Sequence, residues 1–134
     1  MMIFKKTILT DRDASIALIF EALDFFRHIK NEGYVKDVSE FDVRLVLDEA
    51  LENAICHGNG CNPKKTISVC LKGYKRKISI KIQDQGTGFN PEQATYINHT
   101  RDKYALHGRG LTLLSHLGSV KWNNEGNCVM VEVY

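Results

Sequence analysis

The run Glu49-Ala50-Leu51-Glu52-Asn53-Ala54-Ile55-Cys56-His57-Gly58 closes a helical pattern and interrupts it with polar groups. The helix is expected from about Glu40 to His57: Ser39 and Asp42 have capping-box spacing, with Asp in place of the usual Glu. Gly58 and Gly60 supply the stop. Glu49 and Asn53 lie four residues apart and so share a helix face. Asp42, Asp48 and Glu52 make the helix acidic as well. A carboxylate and a carboxamide one turn apart suit a hard cation such as Mg²⁺, which takes oxygen ligands and keeps several waters. The carboxylate could instead serve as a general base. A solvated helix face has the same pattern, so the run taken alone leaves these readings open.

Outward from this run, the chain alternates between two periods. Toward the N-terminus, Ile3 to Leu9 is expected as a strand, with Thr10 and Asp11 as candidate caps for the next helix. That helix spans about Ala14 to Lys30, with Ile16, Ile19, Phe20, Leu23 and Phe26 at helical spacing and Gly33 at or just past its end. Its apolar face can be wholly core or partly a partner surface. Toward the C-terminus, Ile67, Val69 and Leu71 alternate within Thr66 to Leu71, and Ile78, Ile80 and Ile82 alternate after a turn at Gly73 to Arg76. A polar, glycine-bearing stretch from Gln83 to His107 includes a short helix near Pro91 to Tyr96, and Gly108 to Leu117 resumes a helical pattern. Val120 to Trp122 and Cys128 to Val133 form a last hairpin around Asn123 to Asn127, with Trp122 expected in the core. This order predicts an α+β fold: a two-layer α/β sandwich with helices on one face of a mostly antiparallel sheet.

Three further features spoil a clean core. Asp84 continues the parity of Ile78, Ile80 and Ile82, so its carboxylate is aimed at the helix layer, where an unpaired charge is costly. Gly86 and Gly88 follow and permit close approach to the backbone, although Asp-x-Gly-x-Gly is also an ordinary turn. Gly108-Arg109-Gly110 opens a helix, whose N-terminal N–H groups and dipole favour an anion; a plain loop-to-helix junction has the same residues. Asn90 to His107 is long for a loop in a compact domain and carries Arg101 and Lys103, as a mobile lid over phosphates or a surface loop would.

Composition narrows the partners. The 134 residues suffice for one domain with its own core, with 43% hydrophobic and 25% charged residues. A net charge of +2 argues against nucleic acid as the direct partner. Cys56, Cys61, Cys70 and Cys128 form no C-x-x-C pair and fit no zinc spacing, and His99, His107 and His116 form no metal constellation. Met1 to Lys6 lacks an apolar leader core, so reduced thiols and a cytoplasmic location are expected. Ile16 to Phe20 is the longest apolar run, far short of the roughly 20 residues a membrane span needs, so no membrane is expected.

Glu49 to Gly58, then Asp84-Gln85-Gly86-Thr87-Gly88-Phe89, then Gly108-Arg109-Gly110-Leu111 resembles, in order and spacing, the N, G1 and G2 boxes of the Bergerat-fold ATPases. This is the gyrase, chaperone, histidine-kinase and mismatch-repair superfamily, also called GHKL. Within it the chain is most similar to the anti-sigma-factor serine/threonine kinases of bacterial partner-switching systems. The length, the E-A-x-x-N-A-x-x-H-G first box and the Gly88-Phe89-Asn90-Pro91 after the second favour that branch. The resemblance covers about residues 10 to 134 and implies a single ATP-binding domain over 1–134 with a lid at about 90–107.

The resemblance also implies roles. Asp84 would accept a hydrogen bond from the adenine amino group, and Gly86 and Gly88 would let the backbone approach the ring. Asn53 would ligate Mg²⁺, Glu49 would act as general base on the attacking hydroxyl, and Gly108, Arg109, Gly110 and Leu111 would offer N–H groups to the phosphates. The implied partners are a STAS-type anti-anti-sigma protein, phosphorylated on serine, and a sigma factor or equivalent effector; homodimerisation is a family habit. Two positions depart from the pattern. A basic residue often precedes the first G2 glycine, where this chain has Ala105-Leu106-His107, and Gly-Thr in the last hairpin is here Gly126-Asn127. A nucleotide-sensing binding module without kinase activity is the alternative function. A detached histidine-kinase catalytic domain is a weaker one, because His28 sits on a single short helix rather than a helical hairpin. Gyrase-like and mismatch-repair ATPases need a downstream transducer, and the sequence ends at Tyr134.

Overall fold

Two amphipathic helices stack on one face of a five-stranded sheet in a computed structural model that describes residues 1–86, 117–123 and 127–134. The elements run β1 (Met2–Leu9), α1 (Arg12–Asn31), α2 (Glu40–Asn53), a π turn (Ala54–Gly58), β2 (Thr66–Gly73), β3 (Ile78–Gln83), β4 (Ser119–Trp122) and β5 (Cys128–Val133). The sheet order is β1-β2-β3-β5-β4. A mostly antiparallel, mixed sheet was expected; every pairing among the described residues is antiparallel. The α+β sandwich is therefore as the hydrophobic pattern predicts. The expected short helix near Pro91, the helix from Gly108 and the lid at 90–107 lie outside the described residues.

Register explains the core. Val69, Ile82 and Val129 lie in one row across three strands, and Leu71, Ile80 and Val131 in the next. All six side chains are buried toward the helices. The other face of the same strands carries Lys5, Cys70, Lys81, Met130 and Lys121 in a row. Leu18, Ala22, Leu23, Phe26 and Ile29 bury the sheet side of α1, and Val43, Val46, Leu47, Ala50 and Leu51 do so for α2. Period-two strands and period-3.6 helices thus meet on one apolar layer.

Asp11, not Thr10, caps α1: its carboxylate accepts the Ala14 N–H at 2.9 Å. Thr10 is buried instead. Ser39 caps α2, with Oγ accepting the Asp42 N–H at 3.4 Å. Gly33 follows α1 with φ +95°, a left-handed conformation that suits glycine. The second helix does not continue to His57 as an α-helix. It changes at Ala54 into a π turn that ends at Gly58, and the Asn59 N–H reaches back to the Ala54 carbonyl at 2.8 Å. π turns are rare and frequently occur at functional sites.

Candidate functional site

The π turn leads directly into a cleft between α2 and the sheet. Ala50, Asn53, Ala54 and Gly58 form one wall, and Ile82, Asp84, Trp122, Asn127 and Val129 form the other. The walls are largely apolar, with a carboxylate at the end of β3. Trp122, expected in the core, is half-buried and lines this cleft.

Asp84 sits where strand parity aims it, half-buried and facing α2. One carboxylate oxygen accepts the Gly86 N–H at 2.8 Å, and the Asp84 N–H donates to the Asn127 carbonyl at 2.9 Å. Burial pushes the carboxyl up from its ordinary range, while the Gly86 N–H and the Lys65 charge pull the other way. An ionised carboxylate in an apolar slot is a strong acceptor for a planar ligand that presents an N–H edge.

Two glycines set the position of that carboxylate. A Cβ on Gly58 would lie 2.1 Å from Asp84 Oδ2, and a Cβ on Gly86 would lie 1.9 Å from the Gly58 carbonyl oxygen. The π turn and the strand end therefore touch backbone to backbone. The sequence pattern shows Gly58 only as a helix stop, and nothing in it pairs Gly58 with Gly86.

A buried polar network ties the same junction together. Asn59 is only 3% exposed. Its Nδ2 donates to Thr10 Oγ1 at 2.7 Å and to the Thr66 carbonyl at 3.0 Å, and its Oδ1 accepts the Gln85 N–H at 2.8 Å. Gln85 Oε1 in turn accepts the Thr66 N–H at 2.7 Å. One side chain thus holds the end of β1, the start of β2 and the bend after Asp84. Asn59→Ala is expected to destabilise the fold by about 2–4 kcal/mol, because it strips partners from groups that stay buried. Urea unfolding measures this; a midpoint equal to wild type would show the network to be dispensable.

Among the described residues, Glu49 and Asn53 line different recesses. Asn53 lines the Asp84 cleft, and its Nδ2 is buried with no hydrogen-bond partner among the described residues. Glu49 lines a groove of about 310 Å³ between α1 and α2, with Arg12, Ser15, Ile16, Ile19, Asp48 and Glu52 nearby. Glu52 is held by Arg12 through two contacts, at 2.6 and 3.0 Å, and that pairing draws its carboxyl below the usual range. Burial raises the Glu49 carboxyl, and the charges of Asp48 and Glu52 raise it further. Of the two acids it is the one set up to take a proton.

The helix faces are also now apportioned. Ile16 and Phe20, which share the helical period of the core residues, are 53% and 56% exposed, and Phe41 at the start of α2 is 69% exposed. His28 is exposed on α1 beside Glu32, at 3.3 Å. Among the described residues, no helix is long and apolar enough to cross a membrane. Gly88, Gly108, Arg109, Gly110 and Leu111 lie outside the described residues.

A helical layer on an antiparallel sheet, with an acid at a strand end facing a helix that bears Glu and Asn, is the arrangement that the resemblance to nucleotide-binding domains of the histidine-kinase type implies. The chain belongs to the histidine kinase-like ATPase domain family, whose model matches residues 13–133. It is 29% identical over 107 residues to an anti-sigma F factor of Clostridium perfringens, covering 69% of this chain and 76% of that protein. It is 29% identical over 98 residues to the serine/threonine-protein kinase BtrW of Bordetella bronchiseptica, covering 72% and 69%. It is 32% identical over 126 residues to the sensor histidine kinase YvrG of Bacillus subtilis, covering 78% of this chain but 21% of that protein. The family model, the anti-sigma F factor and the serine/threonine kinase support the anti-sigma kinase branch of the GHKL superfamily, and ATP binding follows from the family.

Proposed function

We propose that the chain is an ATP-dependent serine/threonine protein kinase of the partner-switching type. It phosphorylates a serine on a STAS-type anti-anti-sigma protein and holds a sigma factor or equivalent effector in its other state. The whole chain, 1–134, acts as one ATP-binding domain with its lid at about 90–107. The observation that carries the nucleotide site is Asp84, half-buried at the mouth of an apolar cleft and pinned against Gly58 and Gly86. In this reading Asp84 accepts the adenine amino group and Ala50, Ala54, Ile82 and Val129 flank the ring. Gly86 and Gly88 leave room for it, and Gly108, Arg109, Gly110 and Leu111 donate N–H groups to the phosphates.

Mg²⁺ fits the same cleft. The Asn53 Nδ2 is buried without a partner among the described residues, and turning the amide by half a revolution would present Oδ1 as a hard ligand. Asn53 would hold a divalent ion there, and the ion would supply positive charge against the phosphates. The protein's own contribution is then positioning. Glu49 lies in the α1–α2 groove, so the acceptor serine approaches from the α1 side, where Ile16, Phe20 and Phe41 offer exposed apolar contacts. Glu49 orients that hydroxyl and takes its proton.

Radiolabelled ATP with an antagonist of the STAS type tests the assignment; label on the antagonist is expected. The absence of a basic residue at Ala105-Leu106-His107 favours a second reading, a nucleotide-sensing module that binds partners without transferring phosphate. Nucleotide binding with no label on any antagonist would select it.

Asp84→Asn separates the cleft from the fold. Loss of a charge-assisted acceptor should weaken ADP binding by about 10–100-fold, or roughly 1.5–3 kcal/mol. The ligand-free variant should melt at a higher temperature than wild type near neutral pH. A carboxyl raised above its ordinary range is less comfortable ionised in the fold than in the unfolded chain. It therefore subtracts stability above its folded pKa and returns it as pH falls through that value. Calorimetric titration and thermal melts read both effects; unchanged ADP affinity would remove Asp84 from the site.

A further inference from the structure

We propose that Cys56 and Cys61 form a dithiol site that a hydroperoxide oxidises to an intramolecular disulfide, and that this bond weakens the nucleotide cleft beside it. The two sulfurs are 4.0 Å apart. Their closeness follows from the backbone. The π turn carries Cys56, and Gly60 and Cys61 then both take left-handed conformations, with φ +59° at each. Consecutive left-handed residues fold the chain back on itself, and the Cys61 N–H donates to the Ile55 carbonyl at 2.8 Å. A left-handed φ is uncommon for a residue with a Cβ, so the Cys61 side chain is held in this position at some cost in strain.

The two thiols are suited to different parts of the reaction. Cys61 is exposed and meets the oxidant. Cys56 is half-buried, donates to Glu52 at 3.2 Å and accepts from Arg12 at 3.2 Å. Burial and the Glu52 carboxylate push its thiol up to about 11, so it stays protonated until Cys61 has reacted. The hydroperoxide transfers one oxygen to the Cys61 sulfur, giving a sulfenic acid and releasing the alcohol or water. The Cys56 sulfur then attacks the sulfenic sulfur, its proton leaves with the hydroxyl as water, and the S–S bond forms. Two thiols are oxidised and one peroxide is reduced. The other cysteines, Cys70 and Cys128, lie on the outer face of the sheet, on β2 and β5, with β3 between them.

The link to the cleft is steric and rests on the function proposed above. A disulfide draws the sulfurs in by about 2 Å. The residues between them, His57 to Gly60, include Gly58, which abuts Asp84 too closely to accept a Cβ, and Asn59, which holds the bend at Gln85. A junction packed this tightly transmits a shift of the loop to the Asp84 carboxylate.

The full chain, reduced and then treated with hydrogen peroxide, provides the test, with Cys70→Ser/Cys128→Ser as background. Intact mass should fall by about 2 Da, and Cys56 and Cys61 should both resist alkylation until a reductant is added. The oxidised chain should run as a monomer on a non-reducing gel and bind ADP about tenfold more weakly, with recovery on reduction. Cys56→Ser and Cys61→Ser should each abolish the mass loss and the affinity change. Continued alkylation of both thiols, oxygen addition on Cys61 alone, or a Cys61-linked dimer would overturn the site. A disulfide that leaves ADP affinity unchanged would overturn the coupling. Failure of the reduced chain to bind ADP would instead overturn the nucleotide reading and the coupling with it, while the mass readout still judges the disulfide.

Discussion

Glu49→Gln is expected to lower phosphoryl transfer to the antagonist by about 10²–10⁴-fold, the range over which a positioned general base acts. The ADP-induced rise in melting temperature should persist, because Glu49 faces the α1–α2 groove while Asn53 and Asp84 line the other recess. The pH profile sharpens the test. Burial, then Asp48 and Glu52, raise the Glu49 carboxyl, so wild-type transfer should climb as pH rises through that elevated value. Glutamine has no such titration, and the acid limb should flatten. Wild-type rates of transfer in the variant would remove Glu49 from the mechanism and leave the proton to another group.

Gly86→Ala should be the most damaging single methyl in the described part of the chain. Its Cβ would lie 1.9 Å from the Gly58 carbonyl oxygen and 3.0 Å from Asp84 Oδ1. A flexible side chain could swing aside, but the Gly58 carbonyl is backbone of a π turn whose Ala54 and Ile55 carbonyls accept the Asn59 and Cys61 N–H groups, and it cannot do so cheaply. The fold should lose about 1–3 kcal/mol, the usual range for an overpacked site, and ADP binding should fall with it as Asp84 is displaced. Urea unfolding and ADP titration on the same preparation measure both. A variant with normal stability and normal affinity would mean that the two backbones are not in contact in solution.

Much of the fold could be read from alternation alone. Ile78, Ile80 and Ile82 placed β3 and its inward face, and the same parity carried on to Asp84, which the structure sets facing α2. Ser39 marked the start of α2 because a hydroxyl at that spacing can satisfy an orphan N–H. These are local signals, and side-chain period is fixed by backbone geometry whatever the rest of the chain does. The same logic could not apportion Ile16 and Phe20 between core and surface. Periodicity grouped them with Ile19, Leu23 and Phe26, yet those three are buried while Ile16 and Phe20 stay exposed, Ile16 in the groove beside Glu49 rather than on the sheet layer. Arg44 sits over the Phe20 ring at 5.9 Å, so even the exposed face is partly organised.

By itself the sequence determined the two periods, the layer they build, the inward acid at the end of β3 and the motif order that resembles the GHKL ATPases. Only the tertiary structure decided how the ends of those elements meet. It turned the last residues of the second helix into a π turn, brought Gly58 against Gly86, closed the Asn59 network and set Cys56 beside Cys61. Among the described residues it also set Glu49 and Asn53 in different recesses. The physical reason is range. Strand and helix patterns follow from neighbours along the chain, whereas Gly58 and Gly86 are far apart in sequence and neither signals its partner. Their contact exists because α2 and β3 bury apolar faces against one layer, and that packing fixes the distance between their ends.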